Sequence, residues 1–141
     1  MPARAAEARR VVVEDYYPLF RAAYNGREGI VEVLLGMEGV DMNRGNKNGA
    51  TPLYMACQKG HEGVVRLLLA HAATDVNQAT TDDGSTPLWM ACQNGHEGVV
   101  RLLLEHGADK SIETTKPAGW TALRIAEHMR HIEVAAVLRA D

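Results

Sequence analysis

Apolar positions along the chain follow helical spacing in short blocks that end at glycine. In TPLYMACQKG, residues 51–60, apolar side chains recur at i, i+3 and i+4 as Leu53, Ala56 and Cys57. Thr51 can accept a bond from an early backbone N–H as an N-cap, and Pro52 suits the first helical position. Gly60 offers the left-handed conformation that ends a helix. The pattern therefore predicts a helix of only a few turns.

A second apolar block follows directly and consists of Val64, Val65, Leu67, Leu68 and Leu69. It is apolar around more than half its circumference, so it needs packing partners on both flanks. The next segment, DVNQATTDDGS (residues 75–85), carries turn residues and no apolar period. The predicted unit is helix, turn, helix and hairpin, with neighbouring copies supplying the packing partners.

The unit repeats along the chain with a period of 35 residues. A fixed period of this length indicates a repeat architecture, whatever the local helix or strand propensities are. Residues 51–69 and 86–104 differ at only two positions, Tyr54/Trp89 and Lys59/Asn94. A weaker copy begins 34 residues upstream, at Pro18, and a further copy begins at Thr121. The four units span about residues 15–45, 46–80, 81–115 and 116–141.

The motifs TPLYMACQKGHEGVVRLLL, with a following TDVN, and TPLWMACQNGHEGVVRLLLEHGADKS resemble successive ankyrin repeats. Three features carry the resemblance across residues 15–141: the capped Thr-Pro-Leu start, the Gly-His turn, and Leu-Leu followed by Gly-Ala-Asp or Asp-x-Asn. The resemblance implies an all-α repeat fold, an α-solenoid of about four stacked ankyrin repeats with β-hairpin connections. Residues 1–14 are predicted to be an amino-terminal cap or a flexible extension.

The chain also departs from the family pattern. Ankyrin repeats usually carry histidine after Thr-Pro-Leu, where this chain has Phe20, Tyr54, Trp89 and Arg124. This argues against the histidine hydrogen bonds between repeats that are usual at that position. The later connections are longer, which predicts enlarged hairpin tips. Ala122 in place of proline and Arg130 in place of glycine indicate a carboxy-terminal cap.

Charge and composition narrow the function classes. The chain has 15 basic and 18 acidic residues scattered along it, a net charge of -3, and no basic stripe for a phosphate backbone. No apolar run approaches the roughly 20 residues of a membrane helix. No targeting signal is apparent at the amino terminus. We expect no nucleic acid, no membrane, and a monomer in the cytoplasm or nucleus.

Candidate catalytic and metal-binding residues are unconvincing. Cys57 and Cys92 occupy equivalent positions about 8–10 Å apart, beyond the reach of a disulfide, so two buried, reduced thiols are expected. The turn histidines, one per repeat (His61, His96 and His131), cannot converge on one ion, and we expect each to satisfy backbone groups locally. No nucleophile elbow or phosphate-binding glycine loop is present. We therefore predict no enzyme, no cofactor and no metal.

The family resemblance implies that a partner contacts the hairpin tips and first helices. The candidate tip residues are Lys47, Asn48, Ala50, Asp82, Asp83, Ser85, Ala118 and Trp120, and the candidate helix residues are Gln58, Lys59, Trp89, Gln93, Asn94 and His128. For the Trp120 side chain, a role in binding and a role in packing are equally expected. For the Trp89 side chain, packing between repeats is the favoured interpretation. The first tip carries Lys47, the second carries Asp82 and Asp83, and the third carries Lys116. The tips therefore alternate basic, acidic and basic, which predicts a partner of complementary charge.

The leading function is a protein-protein interaction module, acting as an adaptor, a scaffold or an inhibitor through its concave helix and hairpin surface. One alternative is a regulatory ankyrin segment of a larger enzyme or channel, which the capped carboxy terminus disfavours. Another is a structural repeat scaffold with no evolved partner. The near-identical second and third repeats suit that alternative, whereas irregular hairpin lengths disfavour an idealised design.

Overall fold

The computed structural model describes residues 17–140, and this part of the chain contains eight short helices. In chain order they are α1 (Pro18–Asn25), α2 (Glu28–Leu35), α3 (Pro52–Lys59), α4 (Glu62–Ala70), α5 (Pro87–Gln93), α6 (Glu97–Glu105), α7 (Ala122–His128) and α8 (Ile132–Arg139). Each repeat contributes two consecutive helices. The cap or extension predicted for residues 1–14 lies outside the described residues.

The helices stack in two layers. The first helices α1, α3, α5 and α7 pack against one another in chain order, as do the second helices α2, α4, α6 and α8, and the two helices of each repeat also pack together. Each apolar second helix thereby finds partners on its flanks, as its sequence pattern requires. The predicted all-α stack of four ankyrin-like repeats is confirmed.

The predicted helix ends are also confirmed. Thr51 and Thr86 each accept a bond from the backbone N–H three residues on at 3.1 Å, and Thr121 does so at 3.2 Å. Gly60 follows α3 in the left-handed conformation with φ of +76°. These local signals depend on backbone groups that every helix leaves unpaired at its ends. They could therefore be identified in the sequence alone.

The core lies between the layers and consists mainly of aliphatic and small side chains. Leu53, Ala56, Cys57 and their equivalents Leu88, Ala91 and Cys92 are at most 1% exposed. Tyr54 and Trp89 are also buried, which supports the packing interpretation of these rings. Small residues at the helix contacts let the repeats approach closely, and the larger rings fill the space toward the loops.

The connections are compact loops, and the β-hairpins implied by the resemblance are not confirmed. Residues 17–140 contain no β-strand, only an isolated bridge between Thr115 and Ala118. One backbone bond spans the base of each loop, from Asn46 to Ala50, from Thr80 to Ser85 and from Thr114 to Trp120, each at 2.9 Å. The first and third loops have a second bond, from the N–H of Gly49 to Asn46 and from the N–H of Gly119 to Thr114. The loops therefore lengthen by one residue from repeat to repeat, as predicted for the tips.

Adjacent loops are joined by backbone hydrogen bonds. The N–H of Thr81 donates to the carbonyl of Asn48 at 2.8 Å, and the N–H of Thr115 donates to the carbonyl of Asp83 at 2.8 Å. Each loop is thereby held at a set position relative to the loop before it. The loops form a ladder along one edge of the stack without forming a sheet.

The prediction that each turn histidine bonds backbone groups locally was wrong. Nε2 of His61 donates to the carbonyl of Tyr24 at 3.0 Å, which lies in the preceding repeat. His96 and His131 make the equivalent bonds, to the carbonyls of Gln58 and Gln93, also at 3.0 Å. The chain lacks the usual histidine after Thr-Pro-Leu, yet histidine bonding between repeats is present from a different position.

Candidate functional site

The predicted binding residues fall into three groups by exposure. Exposed residues are Lys47, Asn48, Lys59, Asp82, Asn94, Ala118 and His128. Half-buried residues are Gln58, Asp83, Gln93 and Trp120. Buried residues are Ala50, Ser85 and Trp89. The candidate surface is therefore smaller than the sequence suggested.

The three buried residues serve the fold, which corrects their place among the binding candidates. Ala50 is 5% exposed and closes its loop through the backbone bond with Asn46. Ser85 is fully buried, and Trp89 is 5% exposed within the core. The family resemblance implied that these positions contact a partner, but all three are buried in the folded chain, Ser85 against the Tyr54 hydroxyl of the preceding repeat. A partner cannot reach these side chains without opening the stack.

A buried hydrogen-bond network joins the second and third repeats at the loop edge. The hydroxyls of Tyr54 and Ser85 are 2.7 Å apart, and the Ser85 hydroxyl also donates to Asp83 Oδ1 at 2.7 Å. Thr80 Oγ1 donates to the same carboxylate oxygen at 2.7 Å. Burial raises the pKa of Asp83, but these hydrogen bonds outweigh it and hold the pKa below the usual aspartate value.

This network leaves one acidic side chain at the tip of the middle loop. The carboxylate of Asp83 is bonded within its own loop, whereas Asp82 is exposed and bonds only the adjacent backbone N–H, at 2.8 Å. Asp82 therefore provides the negative charge that a partner could contact. Lys47 and Lys116 are exposed in the loops on either side.

The fourth repeat carries a partly exposed cluster of two rings and a guanidinium along α7. The guanidinium carbon of Arg124 lies 4.3 Å from the centroid of the Trp120 ring. The His128 ring meets the same indole edge-on, at 5.1 Å between centroids and an interplanar angle of 77°. We call Trp120, Arg124 and His128 the Trp120 cluster. The spacing of four residues between successive members was a signal in the sequence that could have identified Arg124.

A second cation rests on a ring at the junction of the first two repeats. Lys59 Nζ lies 4.7 Å from the centroid of the Tyr24 ring, and Tyr24 is 40% exposed. Tyr24 belongs to the weakest repeat copy and was not among the predicted site residues. Such a cation is attracted by the negative face of the ring while its other side remains in water.

The two helix layers differ in charge. The first helices carry three basic residues and one acidic residue, a net charge of +2. The second helices carry three basic and six acidic residues, a net charge of -3. We call the exposed side chains of the first helices, together with the loop tips, the first-helix face. The helical part of this face is therefore net positive, although the chain as a whole is acidic and the loop tips carry charges of both signs.

Other features of the described residues offer little chemistry. Within residues 17–140 no three histidine, cysteine, aspartate or glutamate side chains are grouped to hold a metal. A shallow groove of about 440 Å³ lies between α6 and α8, beside the exposed Arg101–Glu97 ion pair. None of the eight helices is long and apolar enough to cross a membrane.

Both cysteines are buried free thiols, as predicted. Burial, and to a lesser extent Cys92, raise the pKa of Cys57 well above its usual value. Burial likewise raises the pKa of Cys92 to about 12. The thiolate is the reactive form of cysteine, so neither side chain is suited to nucleophilic chemistry in the folded protein.

Comparison with known families agrees with this architecture. The family model described as ankyrin repeats (3 copies) matches residues 19–114 and also residues 74–141. A search of curated proteins finds no match. The matched segments together span all four repeats, including the weak first copy and the divergent last one. The chain therefore belongs to the ankyrin-repeat family.

Proposed function

We propose that the chain is a non-catalytic protein-interaction module that binds another protein through its first-helix face, as an adaptor, a scaffold or an inhibitor. The observation that carries this proposal is the row of exposed and half-buried rings, cations and amides along the first helices. At one end Lys59 covers Tyr24, and at the other lies the Trp120 cluster. Trp, Tyr and Arg are the side chains most enriched at interface hot spots.

The stack suits binding because the side chains of this face are held on a rigid support. Histidine bonds and the backbone ladder tie each repeat to the one before it. A preorganised surface loses less conformational entropy on association than a mobile one. Repeat proteins use such extended faces in this way.

The test is a quantitative pull-down from lysate of the source cell with three forms of the chain. The first is the wild type, and the second is Lys47→Ala/Asp82→Ala/Trp120→Ala on the first-helix face. The third is the control Glu62→Ala/Arg66→Ala/Glu105→Ala on exposed positions of the second helices. Asp83 stays unchanged because its carboxylate holds a loop together. Circular dichroism must first show that all three forms are folded.

A partner that is captured by the wild type and the control, but lost by the first-helix variant, would support the proposal. A partner captured equally by all three forms would refute the assignment of the face. No specific partner would favour the structural-scaffold alternative. For any partner found, Asp82→Lys should alter the association rate and its salt dependence, because exposed charges act mainly on encounter.

We also propose that the module acts as a monomer in the cytoplasm or nucleus. The unpaired, buried Cys57 and Cys92 suit a reducing compartment. Light scattering after size-exclusion chromatography measures the mass directly. A dimer at micromolar concentration would contradict this part of the proposal.

A further inference from the structure

We infer that the first-helix face takes an extended acidic peptide segment with one apolar anchor. Two acidic side chains of the segment pair with Lys59 and Arg124, and the anchor packs against Trp120. This inference rests on the proposed function and specifies the chemistry of the partner.

The charge distribution supports an acidic occupant. The only carboxylate on the first helices is Glu127, and it is bonded to Arg139 of α8. That pairing neutralises the one group on these helices that would repel an acidic segment. The charges of Lys59 and Arg124 therefore favour an acidic ligand on the first helices, whereas the acidic second helices would repel the same ligand.

The side chains of Lys59 and Arg124 are positioned to form ion pairs with carboxylates of a ligand. Each is exposed and rests on an aromatic ring, and neither forms an ion pair with a carboxylate among residues 17–140. The ring limits the motion of the side chain, so less entropy is lost when an ion pair forms. Arg124 can bind a carboxylate through two parallel N–H bonds, whereas Lys59 provides a compact point charge.

The spacing of the two cations sets the length of the segment. Lys59 lies at the end of α3 and Arg124 lies on α7, with α5 between them. Two steps between packed helices span about 16–20 Å across the stack. With the 35-residue period, Lys59 stands five positions further along its helix than Arg124 does, which adds an offset of about 7–8 Å along the axis. The two positions are therefore roughly 18–21 Å apart, which an extended peptide covers in about five or six residues. The acidic side chains of the ligand should therefore stand five or six positions apart.

The intervening helix fits the backbone of such a segment. Helix α5 carries no charged residue, and Gln93 and Asn94 at its end present amide side chains that are half-buried and exposed. The Asn94 side chain donates to the carbonyl of Gln58 at 3.1 Å, which leaves its amide oxygen able to accept from a peptide N–H. Polar contacts of this kind orient a peptide without adding charge.

The competing polyanion is single-stranded nucleic acid, which the loop tips disfavour. The basic residues Lys47 and Lys116 alternate with the acidic Asp82 and Glu113, all of them exposed. A phosphate backbone crossing this edge would meet carboxylates as often as cations, so a continuous basic groove is lacking. A peptide can place its charges selectively, opposite Lys59 and Arg124 alone.

The test selects peptides from a random 12-residue phage library on the full chain, then synthesises the enriched sequences with a fluorescent label. Anisotropy measures their affinity for the wild type, for Lys59→Gln/Arg124→Gln, and for Arg66→Gln/Arg101→Gln. The control pair removes the same charge from exposed positions of the second helices. Trp120 also reports binding through its fluorescence, since Trp89 is buried.

We expect enriched peptides with two acidic residues five or six positions apart and an apolar residue near one of them. Affinity should fall at least tenfold for Lys59→Gln/Arg124→Gln and less than twofold for the control pair. Trp120→Phe should abolish the fluorescence change on binding.

Three outcomes would overturn the inference. Enriched peptides that are neutral or basic but still bind at Trp120 would reject the acidic chemistry and leave the proposed face standing. Peptides that bind all variants equally would reject the face as well. Tighter binding of a 12-nucleotide single strand than of any selected peptide would replace the peptide with a nucleic acid.

Discussion

The contact between each helix-ending glycine and the histidine of the next repeat provides the sharpest stability test. Gly60 has φ of +76°, and a Cβ atom built on it would lie 2.7 Å from Nδ1 and Cε1 of the His96 ring. Gly26 and Gly95 have the same relation to His61 and His131. Any side chain at Gly60 must therefore both adopt a left-handed conformation and displace a ring.

The expected cost of Gly60→Ala follows from these two effects. The left-handed conformation costs about 1–2 kcal/mol for a residue with a Cβ atom. Displacing the His96 ring breaks its bond to the Gln58 carbonyl, which contributes about 0.5–1.5 kcal/mol to stability. Gly60→Ala should therefore lower the free energy of unfolding by about 1.5–3.5 kcal/mol.

A double-mutant cycle with His96→Ala separates the two effects. Without the ring, Gly60→Ala should cost only the backbone component, about 1–2 kcal/mol. The two substitutions should thus be non-additive by about 1 kcal/mol, as is usual for residues in contact. Equilibrium urea unfolding followed by far-UV circular dichroism measures all four forms, and an unchanged m-value shows that the unfolding transition remains comparable.

Equal costs of Gly60→Ala with and without His96 would refute the contact between glycine and ring. Arg130 offers the matched control, since it occupies the equivalent position in the fourth repeat at φ of +63°. The sequence has no histidine after His131, so only the backbone component applies there. Arg130→Gly relieves about 1–2 kcal/mol of left-handed strain, which the greater freedom of glycine in the unfolded chain offsets by about 0.4–1 kcal/mol. The free energy of unfolding should therefore rise by at most about 1.5 kcal/mol.

Three further predictions concern buried polar groups. Tyr54→Phe removes the hydroxyl bond to the next loop and should cost about 0.5–1.5 kcal/mol in urea unfolding, whereas Tyr24→Phe on the exposed face should cost almost nothing. Because the pKa of Asp83 is lowered in the fold, the folded protein binds fewer protons, and its stability should fall as the pH drops through and below the ordinary value of 3.8. Asp83→Asn should flatten this decline, and an unchanged pH profile of unfolding would contradict the network. Cys57 and Cys92 should resist a thiol reagent at pH 8 and react once urea unfolds the chain; rapid reaction of the folded protein would contradict their burial.

Much of the fold could be predicted because its signals are local. Thr51, Thr86 and Thr121 cap their helices through bonds to residues only three positions away. Gly60 and Gly95 adopt the left-handed conformation that their position after a helix requires. The hairpins were less predictable because a β-hairpin needs a continued ladder of paired residues. Each loop here is closed by only one or two backbone bonds at its base.

The candidate site was predicted only in part, because exposure depends on neighbouring repeats. Ala50, Ser85 and Trp89 occupy family contact positions, yet they are buried in the folded stack. Tyr24 and Arg124 were missed because their role arises from pairing with Lys59 and Trp120. For Lys59, the ring belongs to the preceding repeat, and no local pattern indicates that pairing.

The repeat, the paired helices, their caps and the family follow from the amino-acid sequence, because the 35-residue period is visible in it and the capping bonds join residues within one helical turn. Which polar residues remain on the surface, where the histidines bond and how charge divides between the layers depend on tertiary packing. The decisive contacts, such as His96 to Gln58 and Tyr54 to Ser85, join residues 38 and 31 positions apart. Their geometry depends on how closely two repeats pack, which no single repeat encodes.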